Sequence, residues 1–153
     1  MPCFETGNEM NSLVITETGG PLERDQCVIE MPLGLLGFEQ CKRFSLYARA
    51  SEEPFLRLRA VGNFKLVFLL ISPFIVAPDY APTIPTEDAK FLGLETPKDA
   101  LIVNIVTVQG PNQATVNLKG PIVLNRHTLT AKQVIPVNAP SFSVAHPLLT
   151  KGR

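Results

Sequence analysis

Apolar residues in this chain recur mostly at every second position, in short runs that glycine and proline interrupt. A period of two puts the apolar side chains on one face of an extended strand, whereas a helix needs a period near 3.6. The pattern predicts strands at residues 13–17, 26–30, 44–49, 55–60, 65–71, 100–108, 113–118, 122–125 and 133–137. About nine short strands in one chain are typical of a sandwich or barrel. We therefore expect an all-β single domain, either a sandwich or a barrel.

The strands should differ in how deeply they are buried. Residues 56–60 read Leu-Arg-Leu-Arg-Ala, so the apolar side chains share one face and Arg57 and Arg59 lie on the other, solvated one. Residues 66–71 and 101–106 are apolar at nearly every position. Strands of that kind are central and covered on both faces. We expect both segments to be central.

One segment has the start and stop signals of a helix. Thr86 is a suitable N-cap, and Glu87 and Asp88 follow in the first turn, where the helix dipole favours negative charge. Gly93 stands where a left-handed residue commonly ends a helix. The segment 86–93 is therefore predicted to be a helix of about two turns.

Two shorter segments could each form a single turn of helix. Residues 96–99 read Thr-Pro-Lys-Asp, with proline at the first helical position and aspartate in the place of a capping box. A further turn is expected at residues 38–43. No linker or repeat interrupts the chain, so we expect one domain over residues 12–149, with a flexible N-terminus at 1–11 and a tail at 150–153.

Composition narrows the kinds of partner. Apolar residues make up 45% of the 153 residues and charged residues 18%, against about 25% charged in ordinary domains. The 14 Lys and Arg balance 14 Asp and Glu, so the formal net charge is zero. Nucleic-acid-binding proteins usually carry a basic excess. We therefore expect adhesive surfaces for proteins and no direct binding of nucleic acid.

Cysteine usage and the apolar runs indicate the compartment. Cys3, Cys27 and Cys41 are odd in number, and their spacing matches neither a disulfide framework nor a metal clamp. Residues 1–11 lack the basic and apolar regions of a secretory signal. The longest apolar run, 66–71, is far shorter than the ~20 residues that span a bilayer. We expect a cytoplasmic protein with no membrane partner.

Catalytic and metal-binding signatures are missing from the sequence. His127 and His146 are the only histidines, and neither has a neighbouring cysteine or a pair of carboxylates. Gly34 and Gly37 do not form a phosphate-binding motif and are expected to permit a tight turn. We predict no catalytic residues, no cofactor and no metal.

A surface for a protein partner is predicted in the proline-rich connection after residue 72. Loops of this kind lie at the surface, and aromatic groups surrounded by acid suit a partner with basic residues. The predicted partner-binding residues are Phe74, Asp79, Tyr80, Glu87 and Asp88, with Phe91 beside them. Solvation of the carboxylates at a turn and a helix start is the simpler alternative. A general acid and base pair would require them to converge in a pocket.

Three asparagines lie within or at the ends of apolar strands: Asn104, Asn117 and Asn125. A buried amide is costly unless it is hydrogen-bonded. The simpler interpretation is that they fix loops and strand ends. Recognition at an interface is a second interpretation, because an amide offers donors and acceptors in fixed geometry. In a third, Asn104, Asn117 and His146 line the pocket of a small-molecule-binding barrel or hydrolase.

Several short motifs follow one another in a recognisable order and spacing. They are Pro-x-Gly-Leu-Leu-Gly-Phe-Glu at 32–39, Ser-Pro-Phe at 72–74, Pro-Asp-Tyr at 78–80, Leu-Gly-Leu at 92–94, Asn-Ile-Val-Thr at 104–107, Thr-Val-Asn-Leu at 115–118, Gly-Pro-Ile-Val-Leu-Asn at 120–125 and His-Pro-Leu at 146–148. Together they resemble the flagellar assembly factor family FliW over about residues 12–149. One departure is Ala145, where the family commonly has arginine before His-Pro.

The resemblance implies a small β-barrel-like fold and a role without catalysis or cofactor. Members of the family bind the translational repressor CsrA, a small dimeric RNA-binding protein, and they also bind flagellin. The two partners compete: flagellin holds the factor until export depletes it, and the freed factor then sequesters CsrA and relieves repression of flagellin mRNA. An RNA-binding barrel remains an alternative, which would show a basic strip with exposed aromatic residues.

Overall fold

Eleven strands and two short α-helices form the part of the chain that the computed structural model describes, residues 12–14, 26–62 and 65–148. The strands are β1 (Ser12–Val14), β2 (Gln26–Glu30), β3 (Arg43–Ala48), β4 (Leu56–Ala60), β5 (Val67–Ile71), β6 (Thr83–Pro85), β7 (Ala100–Gly110), β8 (Gln113–Val116), β9 (Ile122–Asn125), β10 (Thr130–Gln133) and β11 (His146–Leu148). The helices are α1 (Pro73–Val76) and α2 (Thr86–Leu92), and single 3-10 turns lie at Ala50–Glu52, Pro97–Asp99 and Ala139–Ser141.

Seven of these strands close into a barrel in the order β7, β5, β4, β3, β2, β10, β9 and back to β7. The pairs are antiparallel except β10 with β2, which is parallel and short. There the N–H of Glu30 donates to the carbonyl of Leu129 at 2.9 Å. β8 and β11 extend the sheet beyond the barrel along the second half of β7, and β1 pairs with β6 separately. The prediction of an all-β barrel is confirmed.

The apolar side chains that alternate along the strands fill the interior of the barrel. The inward side chains come from all seven strands and include Ile29, Phe44, Leu58, Leu70, Val103, Leu124 and Ala131. At about 25 cal/mol per Å² of apolar surface removed from water, their burial is the main term that favours the fold. The opposite face of β7 and β9 is also covered, because Ile102 and Val123 pack beneath Ala89 and Leu92 of α2.

β5 is less buried than its apolar sequence predicts. Its second half, Leu70 and Ile71, is buried, but Val67 is 40% exposed. The first half lies beyond the last residue pair with β7, which is Leu69 with Val106. The expectation that residues 66–71 are covered on both sides is therefore wrong for the first half of the strand.

The strand predicted at residues 133–137 is also wrong. The last strand before the C-terminal segment is β10, at Thr130–Gln133, and the chain leaves the sheet at Val134, whose N–H donates to the carbonyl of Pro121 at 2.9 Å. Pro136 has no N–H for a strand ladder. The prediction was wrong because a run of apolar residues, Val134, Ile135 and Val137, follows the end of the strand and extended the apolar pattern beyond it.

The helix predictions are mostly confirmed. α2 covers Thr86–Leu92 and ends at Gly93, whose φ of 71° is left-handed. Thr86 is the first helical residue, however, and Pro85 occupies the N-cap. The turn at Pro97–Asp99 is present, and the carboxylate of Asp99 accepts the N–H of Thr96 at 2.9 Å, as in a capping box.

The helical turn predicted at residues 38–43 is wrong. β3 already begins at Arg43, and the preceding segment consists of reverse turns, with the N–H of Phe38 donating to the carbonyl of Leu35 at 2.8 Å. Gly34, at φ 68°, is required here, because a Cβ would come within 2.6 Å of the backbone of Glu39. The expectation of a tight turn at this glycine is confirmed.

Some expectations fall outside the described residues. These are the flexible N-terminus at 1–11, the tail at 150–153, and residues 15–17 of the first predicted strand, of which β1 covers the start. Among the residues that the structure does describe, no helix is both long enough and apolar enough to cross a lipid bilayer.

The side chain of Asn125 joins α2 to the hairpin between β9 and β10. Its Nδ2 donates to the carbonyls of Leu92 at 2.7 Å and Gly93 at 3.3 Å. Its Oδ1 accepts the N–H groups of His127 at 2.8 Å and Thr128 at 3.2 Å. Asn125 is only 3% exposed. Its amide therefore supplies the hydrogen bonds that water would otherwise make to the backbone of α2 and of the hairpin.

Replacing Asn125 by alanine should therefore lower the free energy of unfolding by about 2–3 kcal/mol, since buried carbonyl and N–H groups lose their partners. Urea unfolding followed by circular dichroism measures the change. Gln109→Ala, at an exposed position of β7, is the control and should stay within about 0.5 kcal/mol of the original protein. Equal stability of the two variants would contradict the role of Asn125.

Candidate functional site

The predicted partner-binding residues lie on α1, on α2 and on the segment between them. Phe74 of α1 is half-buried and packs against two clusters of the core, one beneath α2 and one around Tyr80. Its ring centroid is 5.9 Å from that of Tyr80. Phe74 therefore connects the packing of both helices on the outer face of the barrel.

Tyr80 is not available to a partner. Its side chain is 3% exposed, its hydroxyl donates to the carbonyl of Leu118 at 2.7 Å, and its ring meets the edge of Phe142 at 4.7 Å between centroids. The sequence analysis placed Tyr80 at the surface, and the structure corrects this. The reason is that the buried carbonyl of Leu118 satisfies the hydroxyl, so the whole ring enters the core.

The three predicted carboxylates are in different environments. Asp79 is exposed in the connection after α1, and Glu87 is exposed in the first turn of α2. Asp88 is mostly buried and forms an ion pair with Lys132 of β10, whose ammonium group lies 5.6 Å from the ring centroid of Phe91. Asp88 therefore contributes to holding α2 on β10, and its charge is already balanced.

Two apolar side chains of α1 and α2 are also exposed. Ile75 is 57% exposed and Phe91 is 44% exposed. Sequence reasoning noted Phe91 but missed Ile75. Ile75 follows Phe74 in α1, where successive residues point in directions about 100° apart. No helix was predicted at residues 73–76, so the sequence offered no signal for the outward direction of Ile75. We call Ile75, Asp79, Glu87 and Phe91 the acidic-apolar surface.

The asparagines proposed for a pocket bind backbone groups instead. Asn104 is fully buried and its Nδ2 donates to the carbonyl of Asn117 at 2.8 Å. The Oδ1 of Asn117 accepts the N–H groups of Lys119 at 2.9 Å and Gly120 at 3.1 Å. His146 is half-buried in β11, opposite Val116. The amides thus fix the turn after β8, and this use supports the simpler interpretation over a ligand pocket.

His127 lies beside a carboxylate that caps a turn. Its Nε2 is 3.1 Å from Oδ1 of Asp99, whose Oδ2 accepts the N–H groups of Glu95 and Thr96 at 2.9 Å each. Burial alone would raise the pKa of Asp99, but these N–H groups and His127 together lower it below its usual value. Within the residues that the structure describes, no three His, Cys, Asp or Glu side chains form a group that could hold a metal ion.

Comparison with known proteins identifies one family, which matches nearly the whole domain. The sequence model described as FliW protein matches residues 14–148. A flagellar assembly factor FliW of Leptospira interrogans serogroup Icterohaemorrhagiae serovar Lai is 37% identical over 124 residues, which are 80% of this chain and 82% of the relative. A flagellar assembly factor FliW of Clostridium botulinum strain Langeland is 33% identical over 135 residues, 87% of this chain and 94% of the relative.

The fold agrees with a solved structure as well. The crystal structure of a flagellar assembly factor FliW superposes with a TM-score of 0.74 at 30% sequence identity, and the match covers 88% of this chain and 92% of that one. The overall fold of this chain is therefore similar to that of a relative whose structure was solved by crystallography.

The burial of Tyr80 has a measurable consequence. Desolvation disfavours the phenolate and raises the pKa of Tyr80 to about 12, with a hydrogen bond to Asn104 acting in the opposite direction. The folded pKa lies above the unfolded value near 10. The stability that depends on the neutral phenol is therefore complete below pH ~10 and is lost as the pH rises towards 12.

The Tyr47→Phe variant leaves Tyr80 as the sole tyrosine, because the chain has 2. Its ultraviolet tyrosinate absorbance should titrate with a midpoint near 12 in the folded protein and near 10 in concentrated urea. A midpoint near 10 without urea would contradict the burial of the phenol.

Proposed function

This chain belongs to the FliW family of flagellar assembly factors, and from this premise we propose that it binds the translational regulator CsrA in the cytoplasm. Binding antagonises the repression of flagellin mRNA by CsrA. Flagellin is the second partner and competes with CsrA for the factor. The protein thus makes the translation of flagellin mRNA depend on the level of unexported flagellin. It does so by exchanging one partner for the other, without catalysis.

Charge supports this proposal. Asp79 and Glu87 are exposed, and among the described residues no Lys, Arg or His forms an ion pair with either. A regulator that binds RNA presents basic side chains to phosphate. Carboxylates that approach this basic surface attract the protein and repel RNA phosphates at the same time. Antagonism needs both effects.

The exposed apolar side chains also support the proposal. Protein interfaces combine a desolvated apolar centre with a polar rim, and aromatic residues often supply most of the binding energy. Phe91 and Ile75 can supply the centre, with Asp79 and Glu87 at the rim. The observation that carries the proposal is therefore this combination of unpaired carboxylates and exposed apolar side chains, on α1, on α2 and on the segment between them in a FliW-family barrel.

The first test is calorimetric titration of the purified protein with CsrA from its own host, repeated in the presence of flagellin. We expect saturable binding of CsrA that saturating flagellin abolishes, because one partner excludes the other. CsrA bound equally well with flagellin present would contradict the switch. Heat from neither partner would contradict the proposed function as a whole.

The second test reverses the charge of the acidic-apolar surface. Asp79→Lys combined with Glu87→Lys should weaken CsrA binding about tenfold, or about 1.4 kcal/mol, because both carboxylates face a basic partner. Glu53→Lys makes the same kind of change at an exposed site between β3 and β4 and serves as the control. Affinity unchanged in the double variant, or reduced equally in the control, would show that CsrA binds elsewhere.

A further inference from the structure

The outer face of β3 and β4 carries basic residues, although the chain as a whole is neutral. Outward side chains of neighbouring strands form rows, and one row joins Val28, Ser45, Arg59 and Val67 across β2 to β5. The next row pairs Tyr47 with Arg57. The cations on or beside this face are Arg43, Arg49, Arg57, Arg59 and Lys65, and the carboxylates among them are Glu30 and Glu52.

Two of these arginines are balanced by carboxylates of the same face. Arg43 pairs with Glu30 at 3.0 Å, and Arg57 makes two hydrogen bonds of 2.8 Å to Glu52. The hydrogen bond from Arg57 lowers the pKa of Glu52, so this carboxylate stays ionised. Arg49 is more distant from Glu52, at 3.7 Å. Arg59 has no ion pair within the described part of the chain.

Tyr47 holds the two less balanced guanidinium groups in place. The guanidinium carbon of Arg49 lies 5.8 Å from the ring centroid, and that of Arg59 lies 6.0 Å from it. Such cation–π contacts keep a charged side chain in position at an exposed site. An anion that binds between the two arginines therefore meets donors that are already oriented, which reduces the entropy cost of binding.

A groove lies at this position. Ser45, Tyr47, Arg49 and Arg59 line a volume of about 300 Å³. The hydroxyl of Ser45 is buried in its floor and has no hydrogen-bond partner within the described residues. A second groove of about 520 Å³ continues from Arg59 to Lys65 and Val67. An unsatisfied hydroxyl beside oriented arginines is suited to a carboxylate, which accepts several hydrogen bonds at once.

We propose that this face, defined by Ser45, Tyr47, Arg49, Arg59 and Lys65 and named the Tyr47 face, binds an acidic segment of a protein partner. A carboxylate of the segment lies between the guanidinium groups of Arg49 and Arg59 and accepts the hydroxyl of Ser45. Further acidic side chains follow the second groove towards Lys65. The Tyr47 face is opposite in charge to the acidic-apolar surface, so the inference goes beyond the proposed function.

The observations favour an acidic protein segment over RNA. Tyr47 is the aromatic residue at the centre of the face, whereas single-stranded RNA is bound on several aromatic side chains and a large basic excess. The net charge of the chain is zero, without the basic excess that nucleic-acid-binding proteins usually carry. Val61 and Val67, each 40% exposed, add apolar contacts of the kind that peptide side chains use.

Fluorescence anisotropy of a labelled decaglutamate peptide, titrated with the whole protein at low salt, tests the proposal. We expect saturable binding that weakens at least tenfold in Arg59→Glu and again in Lys65→Glu, which provides a second variant should the first fold poorly. Lys98→Glu is the control, because Lys98 is exposed on the turn before β7, and it should change the affinity less than twofold. Ser45→Ala should weaken binding a few-fold without altering the salt dependence.

Three results would overturn the proposal. In the first, decaglutamate binds no better than decalysine. In the second, Lys98→Glu weakens binding as much as Arg59→Glu, so that only the overall charge matters. In the third, a labelled uridine decamer binds more tightly than decaglutamate and competes with it, which would assign the face to RNA. The probes include neither CsrA nor flagellin, so failure here leaves the proposed function standing.

Discussion

The long strand β7 is the element on which the remaining structure depends. It pairs with β5 on one side and with β9 and then β8 on the other. Its inward side chains, such as Val103, fill the barrel, while Ile102 on the opposite face packs beneath α2. Further along, Val106 packs with the residues around α1. Both helices of the acidic-apolar surface are thus placed by one strand with two buried faces.

Because β7 is buried on both faces, water does not reach the backbone groups of the neighbouring turns. Asparagine side chains form hydrogen bonds with these groups instead. Asn125 satisfies the carbonyl groups at the end of α2, and Asn117 satisfies N–H groups in the turn after β8. Asn104 lies within β7 and bonds the same turn. Each amide fixes irregular backbone at a definite position relative to the barrel. The exposed surfaces are therefore held by rigid supports.

The sequence predicts local structure well here and long-range contacts poorly. Period-two alternation identifies most strands, and Gly93 marks the end of α2, because these signals depend on neighbouring residues. The burial of Tyr80 depends on the carbonyl of Leu118, and the balance of Asp88 depends on Lys132, 44 residues away. Within irregular segments no period distinguishes inside from outside, so the surface role given to Tyr80 was wrong.

The neutral net charge conceals two surfaces of opposite sign. In the closed order of strands, β3 and β4 lie across the barrel from β9, so the Tyr47 face is separate from α2, which carries Glu87 and Phe91. The proposed competition between CsrA and flagellin requires that both use the acidic-apolar surface, and the acidic segment proposed for the Tyr47 face contacts different residues. Charge thus separates two proposed docking surfaces that share no residue on one small domain.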